Sequence, residues 1–179
     1  MTIVPDTKNW TWVLEHPCPD CGFDPSEIAF RDIPDLIRAN AAQWPPALAA
    51  ADPHRRPDDS TWSPLEYAAH VRDVFIKFDE RLEAMLSHDN PAFENWDQDA
   101  TAVAERYNDQ DPAAVSHELT AGAARLADAF ANVPDEALSR HGRRSDGSEF
   151  TVDSLALYFI HDPIHHLYDV TGTRFHSSK

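Results

Sequence analysis

Two histidines spaced four residues apart stand near the end of the chain, within the run His161-Asp162-Pro163-Ile164-His165-His166. The residues on both sides are strongly apolar, which is typical of a buried helix. On a helix, His161 and His165 share a face with their Cβ atoms about 6 Å apart, close enough to bind one divalent ion. His166 lies about 100° further round and instead shares a face with Asp162. A hydrogen-bonded histidine cluster without a metal would satisfy the same buried rings.

His70 belongs to a second predicted helix, where it lies at the edge of the apolar face rather than at its centre. That face is formed by Tyr67, Val71, Val74, Phe75, Phe78, Leu82, Met85 and Leu86. An imidazole at such an edge points along the boundary between the core and a cleft. Glu66 and Asp73 are acidic neighbours that could orient its ring, although a helix-capping role already explains Glu66.

The only two cysteines of the sequence fall in one short motif, Cys18-Pro19-Asp20-Cys21-Gly22. The spacing is half of a zinc knuckle, and a closed site would need His16 with another histidine, or a partner chain. A redox dithiol is a second interpretation, but no βαβ pattern surrounds the motif. Inert thiols on the surface are the expectation to which we give most weight.

Four long helical stretches are predicted to position these residues. They are about 33–51, 64–88, 112–131 and 151–171, and the last ends before Gly172. Ser63, Pro64 and Glu66 form a capping box with proline at the first helical position, and Asp111-Pro112 repeats the cap-then-proline pattern. Trp44-Pro45-Pro46 should kink or split the first helix.

Two connections carry weaker signals. A short helix is predicted around 100–107, and the turn sequence Ser145-Asp146-Gly147-Ser148 predicts a small hairpin before the last helix. The fold class is therefore all-α, a four-helix bundle with a small β-hairpin. Residues 1–29 form an N-terminal extension that carries the cysteine motif, and residues 30–179 form the bundle domain.

Composition excludes several classes of function. The 179 residues carry a formal net charge of −16, which disfavours nucleic-acid and anionic-membrane partners. No apolar run reaches the length of a membrane span, and the opening MTIVPDTKNW lacks the features of a signal peptide. We expect a cytoplasmic protein.

The motifs resemble a known family. Trp62-Ser63-Pro64-Leu65-Glu66-Tyr67-Ala68-Ala69-His70-Val71-Arg72-Asp73 and His161-Asp162-Pro163-Ile164-His165-His166-Leu167 are similar to two signatures of the DinB/YfiT-like superfamily, in the same order. The resemblance covers about residues 30–172. It implies a four-helix bundle with one divalent metal ion held by His70, His161 and His165. Asp162 and His166 would stand beside that site, with roles left open.

The resemblance also implies an activity, that of an S-transferase or isomerase that uses a low-molecular-weight thiol. Mycothiol is the expected thiol, and an electrophilic small molecule is the expected acceptor. Arg143 and Arg144 form a basic pair that would contact a carboxylate of the cosubstrate. Zinc is the expected metal, with nickel, manganese or iron as alternatives. Homodimers are common in the family and are expected here.

Two alternative functions stay open at this point. One is a metal-dependent hydrolase that activates water. The other is a non-catalytic stress protein that binds a metal or a ligand. The thiol reading rests on the family alone, because no residue pattern in the sequence separates the three.

Overall fold

Four helices form the bundle in the computed structural model, which describes residues 9–50 and 52–177. They are α1 (Ile33–Ala41), α3 (Pro64–Ser87), α5 (Pro112–Ala131) and α6 (Val152–Thr171). Helix α5 packs against α1 and α3, and α6 packs against both α3 and α1. The core between them is apolar and closely packed, with Phe75, Phe130 and Phe159 fully buried. The predicted fold class is confirmed.

The first predicted helix is split where the prolines stand. Helix α1 ends at Ala41 and α2 (Trp44–Ala50) begins three residues later, at the Trp44-Pro45-Pro46 sequence. The buried Trp44 indole donates to Asn40 Oδ1 at 3.0 Å, so the break keeps its polar atoms satisfied. The predicted end at residue 51 lies outside the described residues.

Caps fix the start of the other long helices. Ser63 accepts from the Glu66 N–H, and the Glu66 carboxylate accepts from the Ser63 N–H, which is the predicted capping box of α3. Asp111 caps α5 in the predicted way. Gly172 ends α6 with φ +69°, a left-handed conformation that glycine adopts without strain. The short helix α4 (Gln98–Ala104) occupies the predicted connection a few residues earlier than expected.

The predicted hairpin is part of a small sheet. Strands β2 (His141–Arg144) and β3 (Glu149–Thr151) pair antiparallel, and β1 (Ala92–Phe93) pairs parallel with β2. Strand β1 was not expected from the sequence. The sheet carries Arg144 to one side of α6.

The segment before the bundle packs against α6 rather than standing apart. A 3₁₀ turn at Trp10–Leu14 contacts α6, and Cys18, Cys21 and Phe23 join the same hydrophobic core as the bundle helices. The Phe175 N–H donates to the Cys21 carbonyl at 2.7 Å, so the chain after α6 returns to this segment. In the described part of the chain, none of the helices has the length and apolar character needed to span a membrane.

Candidate metal centres on the last helix

Asp162 of α6 faces His70 of α3. His70 Nε2 lies 3.3 Å from Asp162 Oδ1 and 3.5 Å from Oδ2. A divalent ion bound at about 2.0–2.1 Å to a nitrogen and an oxygen in a tetrahedral arrangement separates those two atoms by about 3.3 Å. The observed spacing therefore fits a shared ion.

His166 completes this first group one helical turn after Asp162. Its Nε2 lies 3.8 Å from Asp162 Oδ2, and the ligand atoms of His70, Asp162 and His166 all lie within 4.8 Å of one another. The opposite nitrogen, Nδ1, contacts Asp169 Oδ2 at 3.0 Å. Three protein ligands of this kind, two imidazoles and one carboxylate, are typical of metal sites that keep a position open.

Aromatic rings hold the His70 imidazole in place. The ring stacks on Trp96 with centroids 5.2 Å apart, meets Trp62 at 5.4 Å and contacts the edge of His166 at 4.8 Å. The His70 side chain is fully buried. The position of its Nε2 is therefore fixed by packing before any ion arrives.

The charge of Asp162 is favoured by its neighbours. Burial acts to raise the pKa of the Asp162 carboxyl, but the His70 and His166 rings outweigh it and hold that pKa well below its usual range. The carboxylate is therefore ionised at neutral pH, the form in which it binds a cation.

A second group of four side chains lies on the adjacent face of α6. Cys18, Cys21, His161 and His165 bring one ligand atom each to within 4.8 Å of one another. Cys18 Sγ lies 3.5 Å from His165 Nδ1. Both cysteines are buried, with 1% and 0% of their surface exposed, so the expectation that these thiols lie on the surface is wrong.

Burial also sets the protonation of this second group. It raises the pKa of the Cys21 thiol to about 12, and it lowers the pKa of His161 to about 3, with the neighbouring His165 adding to that effect. The pKa of His165 is lowered as well, again chiefly by burial. Neutral imidazoles are the form in which histidine binds a metal.

The buried atoms that lack hydrogen bonds all belong to these two groups. Within the described ranges, three buried side-chain nitrogen or oxygen atoms have no hydrogen-bond partner: His70 Nδ1, Asp162 Oδ1 and His161 Nε2. Buried polar atoms are nearly always satisfied, so unpaired ones need an explanation such as an ion or a water. Asp162 Oδ1 and His161 Nε2 are possible ligand atoms, so with the donor sets they make both groups fit metal binding. His70 Nδ1 is not the nitrogen that faces Asp162.

The structure divides the three predicted ligands between the two groups. His161 and His165 lie together, as their spacing predicts, but they meet the cysteines of the N-terminal segment. His70 meets Asp162 and His166 instead. The cause is the helical period, because residues 161 and 165 lie about 100° away from 162 and 166, and only the latter pair faces α3.

The other predicted residues have different surroundings. Glu66 is buried in the capping box and pairs with Arg56. Asp73 accepts from Arg72 Nε at 2.8 Å and from the Tyr107 hydroxyl. Both therefore have structural partners away from the His70 ring. Asp169, which contacts His165 and His166, was not identified from the sequence, although its i+3 and i+4 spacing from them was visible there.

A cleft of about 450 Å³ opens beside the first group, and Asp162 forms part of its wall. Its lining is polar and aromatic and includes Trp10, Asn95, Trp96, Asp97, Gln98 and Tyr158. Arg81 and Arg144 also line it. Arg144 is buried and bonds to Asp146 and the Tyr158 hydroxyl, whereas Arg143 is exposed.

Comparison with known proteins agrees with this architecture. The family model of the DinB superfamily matches residues 35–170. The chain belongs to the DinB superfamily, which confirms the resemblance drawn from the sequence. A search of curated proteins returned no match.

Among solved structures, the chain is similar to YfiT from Bacillus subtilis, with a TM-score of 0.70 and 17% sequence identity. The match covers 92% of this chain and 95% of that one. YfiT is described as a probable metal-dependent hydrolase with an unusual four-helix bundle topology. At this identity, the likeness establishes the shared fold.

Proposed function

We propose that the protein is a metal-dependent enzyme that transfers a low-molecular-weight thiol, with mycothiol the expected one, to an electrophilic small molecule. The proposed metal ligands are His70, Asp162 and His166. The single observation that carries this proposal is that Asp162 belongs both to the ligand group and to the wall of the cleft. An ion held there would supply Lewis-acid activation of a nucleophile bound from the cleft.

The chain's own residues prepare that site. Packing against Trp96 fixes the His70 ring, and Asp169 holds Nδ1 of His166 so that Nε2 faces Asp162. Ionised Asp162 contributes one negative charge between two imidazoles. The group therefore offers a preorganised set of ligands, which reduces the ordering needed when the ion binds.

The lining of the cleft is chemically suited to bind a thiol that carries a sugar. Mycothiol carries its cysteine on a glucosamine–inositol unit, which presents many hydroxyl groups. Asn95, Asp97 and Gln98 offer carboxylate and amide groups that accept or donate hydrogen bonds to hydroxyls. The indole rings of Trp10 and Trp96 supply apolar surface beside them. Such a mixed wall suits a ligand with polar edges and apolar faces.

Arg81 is placed to bind an anionic group of the acceptor substrate. It is buried, donates to the Glu94 carbonyl at 3.1 Å and lies over the rings of Phe78 and Phe93. Among the described residues no carboxylate forms an ion pair with it. A buried cation without a carboxylate partner in the wall of a cleft fits a substrate carboxylate.

Hydrolysis is the second candidate function. Two imidazoles and one carboxylate are the ligand set of several zinc hydrolases, and the structurally similar YfiT is described as a probable metal-dependent hydrolase. The two candidates differ in the nucleophile they require, because hydrolysis uses water and proceeds without a thiol.

The test loads the purified protein with zinc, nickel or manganese and follows conjugation of mycothiol to monochlorobimane. We expect conjugation faster than with metal-free protein, loss of that gain in His166→Ala, and no change in His117→Ala, an exposed histidine on α5. A rate equal to that of the metal-free protein would overturn the thiol proposal.

The same preparations are then assayed on ester and amide substrates in buffer without thiol. Turnover there that disappears in His166→Ala would establish the hydrolase instead. Metal binding with no turnover in either assay would establish the non-catalytic alternative. All three outcomes are distinct.

The proposal places the reaction in the cytoplasm, because low-molecular-weight thiols are kept reduced there. Homodimer formation stays a prediction, which sedimentation analysis of the metal-loaded protein would test.

A further inference from the structure

The Cys18–Gly22 turn is shaped to present two sulfur atoms on the same side. The Cys18 N–H donates to the Phe23 carbonyl at 2.7 Å, and the Gly22 N–H donates to the Cys18 carbonyl at 3.0 Å. Gly22 has φ +82°, and a Cβ there would approach the Phe175 carbonyl oxygen to 2.9 Å. Only glycine fits this position without strain, so the turn brings Cys18 and Cys21 together in a fixed geometry.

Helix α6 supplies two nitrogen atoms opposite that turn. His161 and His165 lie one helical turn apart with ring centroids separated by 5.1 Å. The distance of 3.5 Å from Cys18 Sγ to His165 Nδ1 matches a shared tetrahedral ion, because Zn–S near 2.3 Å and Zn–N near 2.1 Å separate the two atoms by about 3.6 Å. His161 contributes Nε2, which is buried without a hydrogen-bond partner.

Aromatic rings cover most of this group, and the His165 side chain keeps 13% of its surface exposed. Trp10 packs against the rings of both histidines at 5.4 and 5.2 Å, and Phe23 packs against His161 at 5.3 Å. His161 is 4% exposed. A site with four protein ligands is the structural type of zinc site, in contrast to the group around Asp162, which has three.

Charge balance favours the ion as well. Two thiols that bind Zn²⁺ release two protons to solvent, and the resulting two thiolates neutralise the two positive charges of the ion. With two neutral imidazoles, the complete site carries no net charge. A neutral site can be buried without the large cost of an unpaired charge.

We infer that Cys18, Cys21, His161 and His165 form a closed structural zinc site that attaches the N-terminal segment to α6. The site is separate from the proposed catalytic group and does not depend on the proposed function. Its position explains why a short segment with few secondary-structure bonds packs in the bundle core: four coordination bonds join it to the last helix.

The first test measures thiol reactivity of the wild-type protein, so it needs no variant that folds. In zinc-loaded protein without denaturant, we expect neither thiol to react with a disulfide reagent, and both to react after a strong chelator is added. Reaction of both thiols before chelation would overturn the inference, and so would a Cys18–Cys21 disulfide found by mass spectrometry of protein purified with reductant absent.

The second test replaces zinc with Co²⁺, whose thiolate charge-transfer bands report sulfur ligands. We expect these bands in the wild type and in His166→Ala, and their loss in Cys21→Ser. Native mass spectrometry should show that each variant binds one metal ion fewer than the wild type. Cys21→Ser should lose the ion of the four-ligand site, and His166→Ala should lose the ion of the proposed catalytic group. Thiolate bands that persist in Cys21→Ser at full intensity would overturn the four-ligand site, whereas failure of the His166→Ala result alone would affect only the proposed function.

Discussion

At the scale of single residues, Asp169 links the two groups of ligands. Its Oδ2 lies 3.0 Å from His166 Nδ1, and its Oδ1 lies 3.7 Å from His165 Nε2. In each ring this is the nitrogen opposite the one that faces the proposed ion. A carboxylate in that place fixes the tautomer and the orientation of a ligating histidine.

We therefore expect Asp169→Asn to weaken metal binding at His70, Asp162 and His166 by about 10- to 100-fold. The amide lacks the negative charge that makes the His166 imidazole a better donor. Competition with a chromophoric chelator measures the affinity.

The matched control is Asp153→Asn, which removes the same charge from an exposed position in the first turn of α6. Its metal affinity should equal that of the wild type. Equal losses in the two variants would mean that the effect comes from overall charge, and Asp169 would then have no positioning role.

How well the sequence predicts the proposed ligand groups depends on how far apart their residues lie along the chain. The closeness of the His161 and His165 rings follows from the helical period, and the structure shows it. The contact between Cys18 and His165 joins residues 147 positions apart, and no local pattern encodes it. The partner of His70 depends on which face of α6 turns toward α3, and that is decided by packing of the whole bundle.

At the scale of elements, the hairpin of β2 and β3 positions an arginine in the cleft. Arg144 donates to Asp146 Oδ2 through Nε at 3.0 Å and through Nη2 at 2.7 Å, and Asp146 also accepts from the Ser148 N–H at 3.0 Å. The hairpin turn and the ion pair therefore support each other. The Arg144 guanidinium holds the pKa of Asp146 well below its usual range.

This ion pair makes a pH-dependent contribution to stability. A carboxyl whose pKa is lowered by folding stabilises the native state above its unfolded pKa of about 3.9, and the contribution is lost as the pH falls through the lower native pKa. We expect Asp146→Asn to reduce the free energy of unfolding by about 1 kcal/mol at pH 7, since the pair is partly exposed to solvent. Below about pH 4 the gap from the wild type should narrow. Urea unfolding at several pH values measures it.

Glu149→Gln serves as the control, because it removes a carboxylate from an exposed position on the same hairpin. Its difference from the wild type should be small and should vary little with pH. If the gap for Asp146→Asn also stayed constant down to pH 3, the ion pair would not be the source of the stability.

The elements themselves were largely predictable, for identifiable local reasons. The cap at Ser63, the prolines at 45–46 and the glycine at 172 each mark a helix boundary within the sequence. Strand β1 was missed because it has two residues, and it pairs with a strand about 50 positions later in the chain. Nothing in so short a stretch repeats with the period of a strand.

At the scale of the whole molecule, both proposed metal sites lie on one helix, α6, on different faces. One face meets α3 and opens to the cleft, and the other meets the N-terminal segment. The formal net charge of −16 favours the approach of cations to both. The chain after α6 is tied to the same place, because the Phe175 N–H donates to the Cys21 carbonyl.

We expect metal removal to loosen the two ends of the chain while the bundle stays folded. In hydrogen exchange of the zinc-loaded protein, the amides of Cys18, Gly22 and Phe175 should be protected by the hydrogen bonds of the Cys18–Gly22 turn. A chelator should abolish that protection, since those bonds lie outside any long helix and depend on the ion that anchors the turn. Amides in the middle of α3 and α5 should keep theirs, because their hydrogen bonds lie within helices packed in the core.

Cys21→Ser separates this effect from the loss of the other ion. In that variant the turn should exchange rapidly with or without the chelator, whereas in His166→Ala the response should match the wild type. The Cys18 and Phe175 amides of the wild type could instead stay protected after the chelator is added. That result would mean that packing of Trp10 and Phe23 alone holds the N-terminal segment on α6. Equal loosening of α3 would instead mean that the ions stabilise the bundle as a whole, and the N-terminal segment would not be an independently released unit.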